Sequence, residues 1–183
     1  MSVYLVSPVR TPIGKYGGSL SSLSAADLGV EVVRAVVERT GVDPSSVAET
    51  IMGCARQAGG GPNVARQISF RGGLGEAVPA MTINMACGSG LRAIDLALRS
   101  VRDGEAEAVV AGGAESMSRV PYMLMGARWG QKMGAQEVTD GMYKDGFACP
   151  IAEMLMGETA ERLAEIHSIS RDEQDEFALR SQQ

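Results

Sequence analysis

Of the three cysteines in this 183-residue chain, Cys87 has the neighbours that could give it chemistry. Residues 84–94 read Asn-Met-Ala-Cys-Gly-Ser-Gly-Leu-Arg-Ala-Ile. An extended run, 80–84, stops just before Cys87, three small residues follow it, and a helical pattern begins at about Leu91. The spacing predicts a strand-to-helix turn at Cys87, where free backbone amides and the positive end of a helix dipole converge. The thiolate is the reactive form of cysteine. Gly88, Ser89 and Gly90 keep the turn open enough for a bulky electrophile to approach the sulfur. This arrangement presents a nucleophile to an acyl group.

The remaining chemistry-bearing residues point elsewhere. Cys54 and Cys149 read as inert small side chains, and three widely spaced cysteines do not form a disulfide framework. With one histidine, His167, and no Cys-x-x-Cys or His-x-x-x-His spacing, the sequence predicts no zinc site. Gly59-Gly60-Gly61 lacks the Gly-Lys-Ser/Thr ending of a phosphate cradle and reads as a plain loop. Gly112-Gly113 is not a dinucleotide fingerprint; it predicts close packing of backbone near the helix after Cys87.

The elements that must position Cys87 follow from periodicity. Residues 3–9 form a short apolar, β-branched run that predicts a buried strand. Ser24 with Asp27 reads as a capping box, and Leu28, Val32, Ala35 and Val36 form the stripe of a helix that Gly41 ends. Strands are predicted at 49–53, 80–84 and 108–111, with helices at about 63–71 and after Cys87. The order βαβαβαβ predicts an α/β fold: a mostly parallel sheet with helices on both faces. In the helix after Cys87, the apolar residues from Leu91 to Val101 sweep roughly 220°, where one sheet needs about 100°. This helix is therefore expected to have protein on two sides.

After Ser118 the pattern changes. Residues 121–150 are rich in Met, Gly and turn residues without a clear period. Helical pattern returns at 157–166, with Ala160, Leu163 and Ala164 expected inward, and Ser170 with Glu173 opens a last helix carrying Phe177. No stop signal precedes Gln183. With the doubly apolar helix, this leads to the expectation of a piece of a longer protein, organised as 1–118 and 119–183.

Composition limits the partners. The chain is 45% apolar and 21% charged, which is ordinary for a globular protein. A net charge of −5, no basic block and 4% aromatics argue against nucleic-acid binding. No apolar run is long enough to span a bilayer, and no charged leader or cleavable segment is seen, so a reducing, cytoplasmic compartment is expected.

The segment Asn84-Met-Ala-Cys-Gly-Ser-Gly-Leu-Arg-Ala resembles the nucleophile motif of thiolases, the acyl-CoA C-acetyltransferases. Arg10-Thr-Pro-Ile-Gly, Asn63-Val-Ala-Arg-Gln, Ala111-Gly-Gly-Ala-Glu-Ser-Met-Ser, Met156-Gly-Glu-Thr-Ala-Glu and Ser170-Arg-Asp-Glu-Gln-Asp-Glu-Phe-Ala also look like thiolase signatures, in the expected order. The resemblance covers essentially the whole chain. It implies that residues 1–118 are most of the first of two similar halves, that 119–183 begin an inserted loop domain, and that the C-terminal half is absent.

It further implies a transferase that forms or cleaves 3-oxoacyl-CoA, with Cys87 taking the acyl group. A histidine and a second cysteine from the missing half would handle protons, so the piece alone is expected to be inactive. Acetyl-CoA and other acyl-CoA thioesters would be substrates, with no separate cofactor, and the complete enzyme would be a dimer or tetramer. Leu155, Met156 and Phe147 match substrate-lining positions. Leu155 stands where biosynthetic relatives usually have histidine, which leans toward a degradative or broader-chain enzyme of fatty acid metabolism. Two alternatives accompany this reading: a non-catalytic half that pairs with a separate chain, and a ketoacyl-synthase-like condensing enzyme.

Overall fold

A computed structural model describes residues 2–130 and 132–183. It contains two compact units, one ending at Met142 and the other spanning Tyr143–Gln183. The division falls later than the change of character after Ser118. Residues from Ser118 onward are tied into the first unit: the Gly17 N–H donates to Ser118 Oγ at 3.0 Å, and Pro121 lies close to Gly59.

The first unit is built on a three-stranded parallel sheet of β1 (Val47–Gly53), β2 (Ala80–Ile83) and β3 (Ala108–Gly113), in the order β2-β1-β3. Gly53 lies level with both Ile83 and Gly113, so the three strands finish together along one edge. Side chains alternate along β1 and serve two cores. Met52 packs with α1 (Ala25–Thr40) and α2 (Val64–Ser69) through Val33, Ala65 and Ile68. Ile51 packs on the other face with Ala93 and Ala97 of α3 (Ser89–Arg102). Helices on both faces of a parallel sheet make this an α/β fold, as the element order predicts.

Helix α1 starts and stops where its sequence says it should. Ser24 Oγ accepts the Asp27 N–H, the Asp27 carboxylate accepts the Ser24 N–H, and Gly41 adopts the left-handed conformation at φ 63°. Asp27 also meets Arg71 at 2.5 Å. Hydrogen bonds from the Arg71 guanidinium and from Ser24 hold its carboxyl down at about 2.

The expected first strand does not form. Residues 2–11 belong to no strand, Ser7 interrupts them with φ 47°, and Tyr4, Leu5 and Val6 are exposed. The segment stops short of the nearest open strand edge. The outer edge of β3 is unpaired among the described residues, and a cleft of roughly 1130 Å³ opens between this segment and β3, α1 and α3. Ile94, Leu98 and Val101 of α3 line the same cleft, so the helix meets the sheet on one side and open space on another.

Beyond β3, a short ribbon of β4 (Tyr122–Met123) and β5 (Thr139–Asp140) completes the first unit. The second unit holds an antiparallel pair, β6 (Ala148–Cys149) and β7 (Met154–Leu155), followed by α4 (Met156–His167) and α5 (Arg171–Gln182). The Ser170–Glu173 capping box is present at α5. No residue of α4 or α5 is buried. Ala160 and Leu163, expected inward, are exposed, because α4 has no apolar surface within this unit to cover them.

Candidate active site

Cys87 stands where the sequence puts it. Strand β2 ends at Ile83, the chain turns through Asn84, Met85 and Ala86, and α3 begins with Gly88 as its cap and Ser89 as its first residue. Cys87 is exposed, at the carboxyl-terminal edge of the parallel sheet. Open α/β sheets bind their ligands at that edge.

The turn is held by its own side chains. Asn84 Oδ1 accepts the Ala86 N–H at 2.9 Å. Ser89 Oγ accepts the Met85 N–H at 2.8 Å and donates its proton to the Ala86 carbonyl at 2.6 Å. Ser89 itself is buried. Ala86, immediately before Cys87, has φ 47°. A left-handed alanine costs about 1–2 kcal/mol, so these hydrogen bonds hold a strained residue against the nucleophile.

The helix entrance is more committed than its sequence implies. The Gly88 and Ser89 N–H groups donate within the turn, to the carbonyls of Met85 and Ala86. These two amides therefore serve the turn first, and cannot be counted as open donors for an incoming acyl oxygen.

Two glycines seat the entrance on the sheet. A Cβ on Gly53 would lie 2.5 Å from the Ser89 carbonyl carbon and 2.6 Å from the Gly90 nitrogen. A Cβ on Gly113 would lie 3.3 Å from the Gly90 Cα. The first turn of α3 thus rests directly on backbone at the ends of β1 and β3. Gly113 makes the close approach that the Gly112-Gly113 pair predicts, and Gly53 makes a second that its own segment does not signal.

Cys54, one residue past β1, has the opposite environment. It is buried, and its thiol lies 3.4 Å from Glu115 Oε1. Burial first, and the charge of Glu115 second, push this thiol up to about 12. It is a protonated donor to a carboxylate, in keeping with the inert role read from the sequence. Glu115, whose role no local sequence pattern signals, accepts the Ala55 and Arg56 N–H groups at 2.9 Å each.

The three proposed substrate-lining residues belong to the second unit. Phe147 meets Tyr143 edge-on at 5.7 Å and precedes Ala148, which pairs with Leu155. Leu155 caps α4, donating its N–H to Glu158 at 2.6 Å, and Met156 is the first helical residue. The unit therefore gathers all three around one short hairpin, with Leu155 and Met156 exposed. His167 ends α4 and is exposed. Among the described residues no group of three or more His, Cys, Asp or Glu side chains could hold a metal ion, and no helix is long and apolar enough to cross a membrane.

A parallel α/β sheet whose closing edge carries an exposed cysteine at a helix entrance defines a nucleophile-bearing α/β domain. Residues 3–183 match the family described as thiolase, N-terminal domain, and the chain belongs to the thiolase family. It is 48% identical over 180 residues to an acetyl-CoA acetyltransferase of Cupriavidus necator, covering 98% of this chain and 46% of that protein. It is 46% identical over 181 residues to an acetyl-CoA acetyltransferase of Pseudomonas aeruginosa and to a probable acetyl-CoA acyltransferase of Staphylococcus aureus, covering 99% of this chain and 46% of each relative. The chain thus spans just under half the length of these relatives.

Proposed function

We propose that this chain is the acyl-accepting part of a thiolase-type acyltransferase, with Cys87 as the nucleophile. The observation that carries the reading is the exposed Cys87 on a strained turn, at the helix entrance that Gly53 and Gly113 seat against the sheet. In the proposed step the Cys87 thiolate adds to the carbonyl carbon of an acyl-CoA thioester. The tetrahedral adduct then expels coenzyme A as its thiolate, which takes up the proton that Cys87 has lost. The product is an acyl-cysteine. Carbon–carbon bond formation with a second acetyl-CoA, or thiolysis in reverse, needs proton-handling groups that the family resemblance places in the other half. The 183 residues alone are accordingly expected not to turn over, and to accept an acyl group on Cys87 only by the slower thioester exchange that needs no partner base.

Leu155 stands where the family resemblance puts a histidine in biosynthetic relatives, which leans the reading toward a degradative or broader-chain enzyme. The relatives' names include both acetyltransferase and acyltransferase, in keeping with either chain length.

The reading is tested by incubating the chain with acetyl-CoA and mapping adducts by peptide mass spectrometry. Acetylation of Cys87 is expected to outpace that of Cys149 and that of an unstructured peptide spanning 84–94, and to vanish in Cys87→Ser. Equal rates on Cys87, Cys149 and the peptide would overturn it. The open cleft along β3 favours one companion reading: the unit works with further polypeptide packed on that side, whether on the same chain or another.

A further inference from the structure

A continuous run of hydrogen bonds leads from Glu115 to the residue beside the nucleophile. Glu115 lies just beyond β3, and its two carboxylate oxygens gather the loop that follows β1. Oε2 accepts the Ala55 N–H at 2.9 Å; Oε1 accepts the Arg56 N–H at 2.9 Å and the Cys54 thiol at 3.4 Å. The same Ala55 gives its carbonyl to Asn84 Nδ2 at 3.2 Å. Asn84 Oδ1 then takes the Ala86 N–H, and the Ala86 carbonyl takes the Ser89 hydroxyl. The Ala55–Arg56 peptide is fixed on both sides, its carbonyl by Asn84 and its N–H by Glu115, and the path ends at the left-handed residue next to Cys87.

The Asn84 side chain has two jobs that must agree. One end reads the position of the β1 loop, and the other sets the conformation of Ala86. If the β1 loop shifts, the Asn84 amide must either lose Ala55 or pull on Ala86. Glu115 decides where that loop stands, because both of its oxygens act on consecutive peptides of it. Carboxylate-to-amide hydrogen bonds are charge-assisted and stronger than neutral ones.

We propose that Glu115 is a positioning residue for Cys87: it clamps the Cys54–Arg56 loop and, through the Ala55 carbonyl and the Asn84 amide, holds Ala86 in the conformation that aims the sulfur. The role in acyl transfer rests on Cys87 being the acyl acceptor. The clamp on the turn does not. Glu115 touches neither substrate nor sulfur of Cys87 in this scheme and is not catalytic.

The test uses Glu115→Gln, Asn84→Asp and the double variant of this chain, with amide hydrogen exchange and Cys87 acetylation by acetyl-CoA as readouts. Gln keeps one acceptor but offers an amide N–H to a backbone donor; Asp keeps the acceptor for Ala86 but cannot donate to Ala55. Each single variant is expected to speed exchange of the Ala86–Ser89 amides about tenfold, with acetylation of Cys87 slowed by a similar factor and Cys149 within about twofold of wild type. In the Asn84→Asp background, Glu115→Gln is expected to add less than about twofold, since both cut one path. Multiplicative effects in the double variant, or native exchange at Ala86–Ser89 in Glu115→Gln, would overturn the proposal. Should Glu115→Gln fail to fold, Asn84→Asp decides alone: it must loosen Ala86–Ser89 while Ala55 and Arg56 stay protected, and native exchange at Ala86–Ser89 would sink the relay. Exchange is read without an acyl donor. A wild-type chain that is never acylated on Cys87 therefore counts against the nucleophile, and uncoupled exchange counts against Glu115.

Discussion

Cys54 and Cys87 occupy the loops after two neighbouring strands, yet they are set up for opposite ends. The Cys54 backbone N–H donates to the Ile83 carbonyl, so the two loops begin side by side. One thiol is buried, donates to a carboxylate and is held in its protonated form; the other is exposed at a helix entrance. Residue type and strand order are nearly the same. What differs is the neighbour: Glu115 beside Cys54, and glycine and serine around Cys87. The neighbouring residues, not the cysteine type, set the two environments apart.

The comparison can be broken most directly by alkylation. Iodoacetamide near neutral pH is expected to label the exposed Cys87 at least about tenfold faster than Cys54, which is buried and held protonated beside Glu115. Comparable labelling of the two in the folded chain, followed by peptide mass spectrometry, would end the contrast. Gly53→Ala attacks the seat that both loops share. Its Cβ has no room against Ser89 and Gly90, and a loss of about 3 kcal/mol in urea-induced unfolding is expected, with Cys87 labelling altered. A loss under about 1 kcal/mol would mean that α3 is free to lift off the sheet.

Two further measurements sharpen the electrostatic half. The Cys54 pKa is raised on folding, so its contribution is complete below the unfolded value of 9.0 and is lost as pH rises toward about 12. Wild type is expected to lose about 2 kcal/mol relative to Cys54→Ser between pH 9 and 11, because the unfolded thiol ionises first. Parallel stability curves would refute it. Asp27 shows the same linkage with the sign reversed. Its carboxyl is held at about 2, so its stabilisation is present above 3.8 and is lost as pH falls toward 2. Its side chain and that of Arg71 are 35% and 45% exposed, so solvent screening leaves Asp27→Asn an effect of about 1 kcal/mol at pH 7, fading below pH 3 in a urea titration series.

Much of this frame was legible because it is local. Both serine capping boxes, the left-handed Gly41, the apolar runs of β1 and β3 and the Cys87 turn are written within a few residues of where they act. The first strand misled because an apolar, β-branched run specifies extended backbone but not its partner. Residues 2–11 have the run, but a cleft separates them from the open edge of β3. The α4 stripe misled for a similar reason: periodicity names a face, and this unit supplies nothing to bury it. Glu115 and Gly53 were invisible for the opposite reason. Glu115 acts on peptides 59 and 60 positions away, and Gly53 matters because a helix from a different segment lands on it. No window of sequence contains both partners.

The flank of β3 that is unpaired among the described residues bears on handling the chain in the laboratory. A row of backbone donors and acceptors beside an apolar hollow is a template for any extended peptide that drifts past, including another molecule's own amino-terminal tail. Concentrated solutions should therefore thicken into edge-joined assemblies sooner than the sequence's modest hydropathy would lead a chemist to expect, and a lysine placed along that flank should keep them clear.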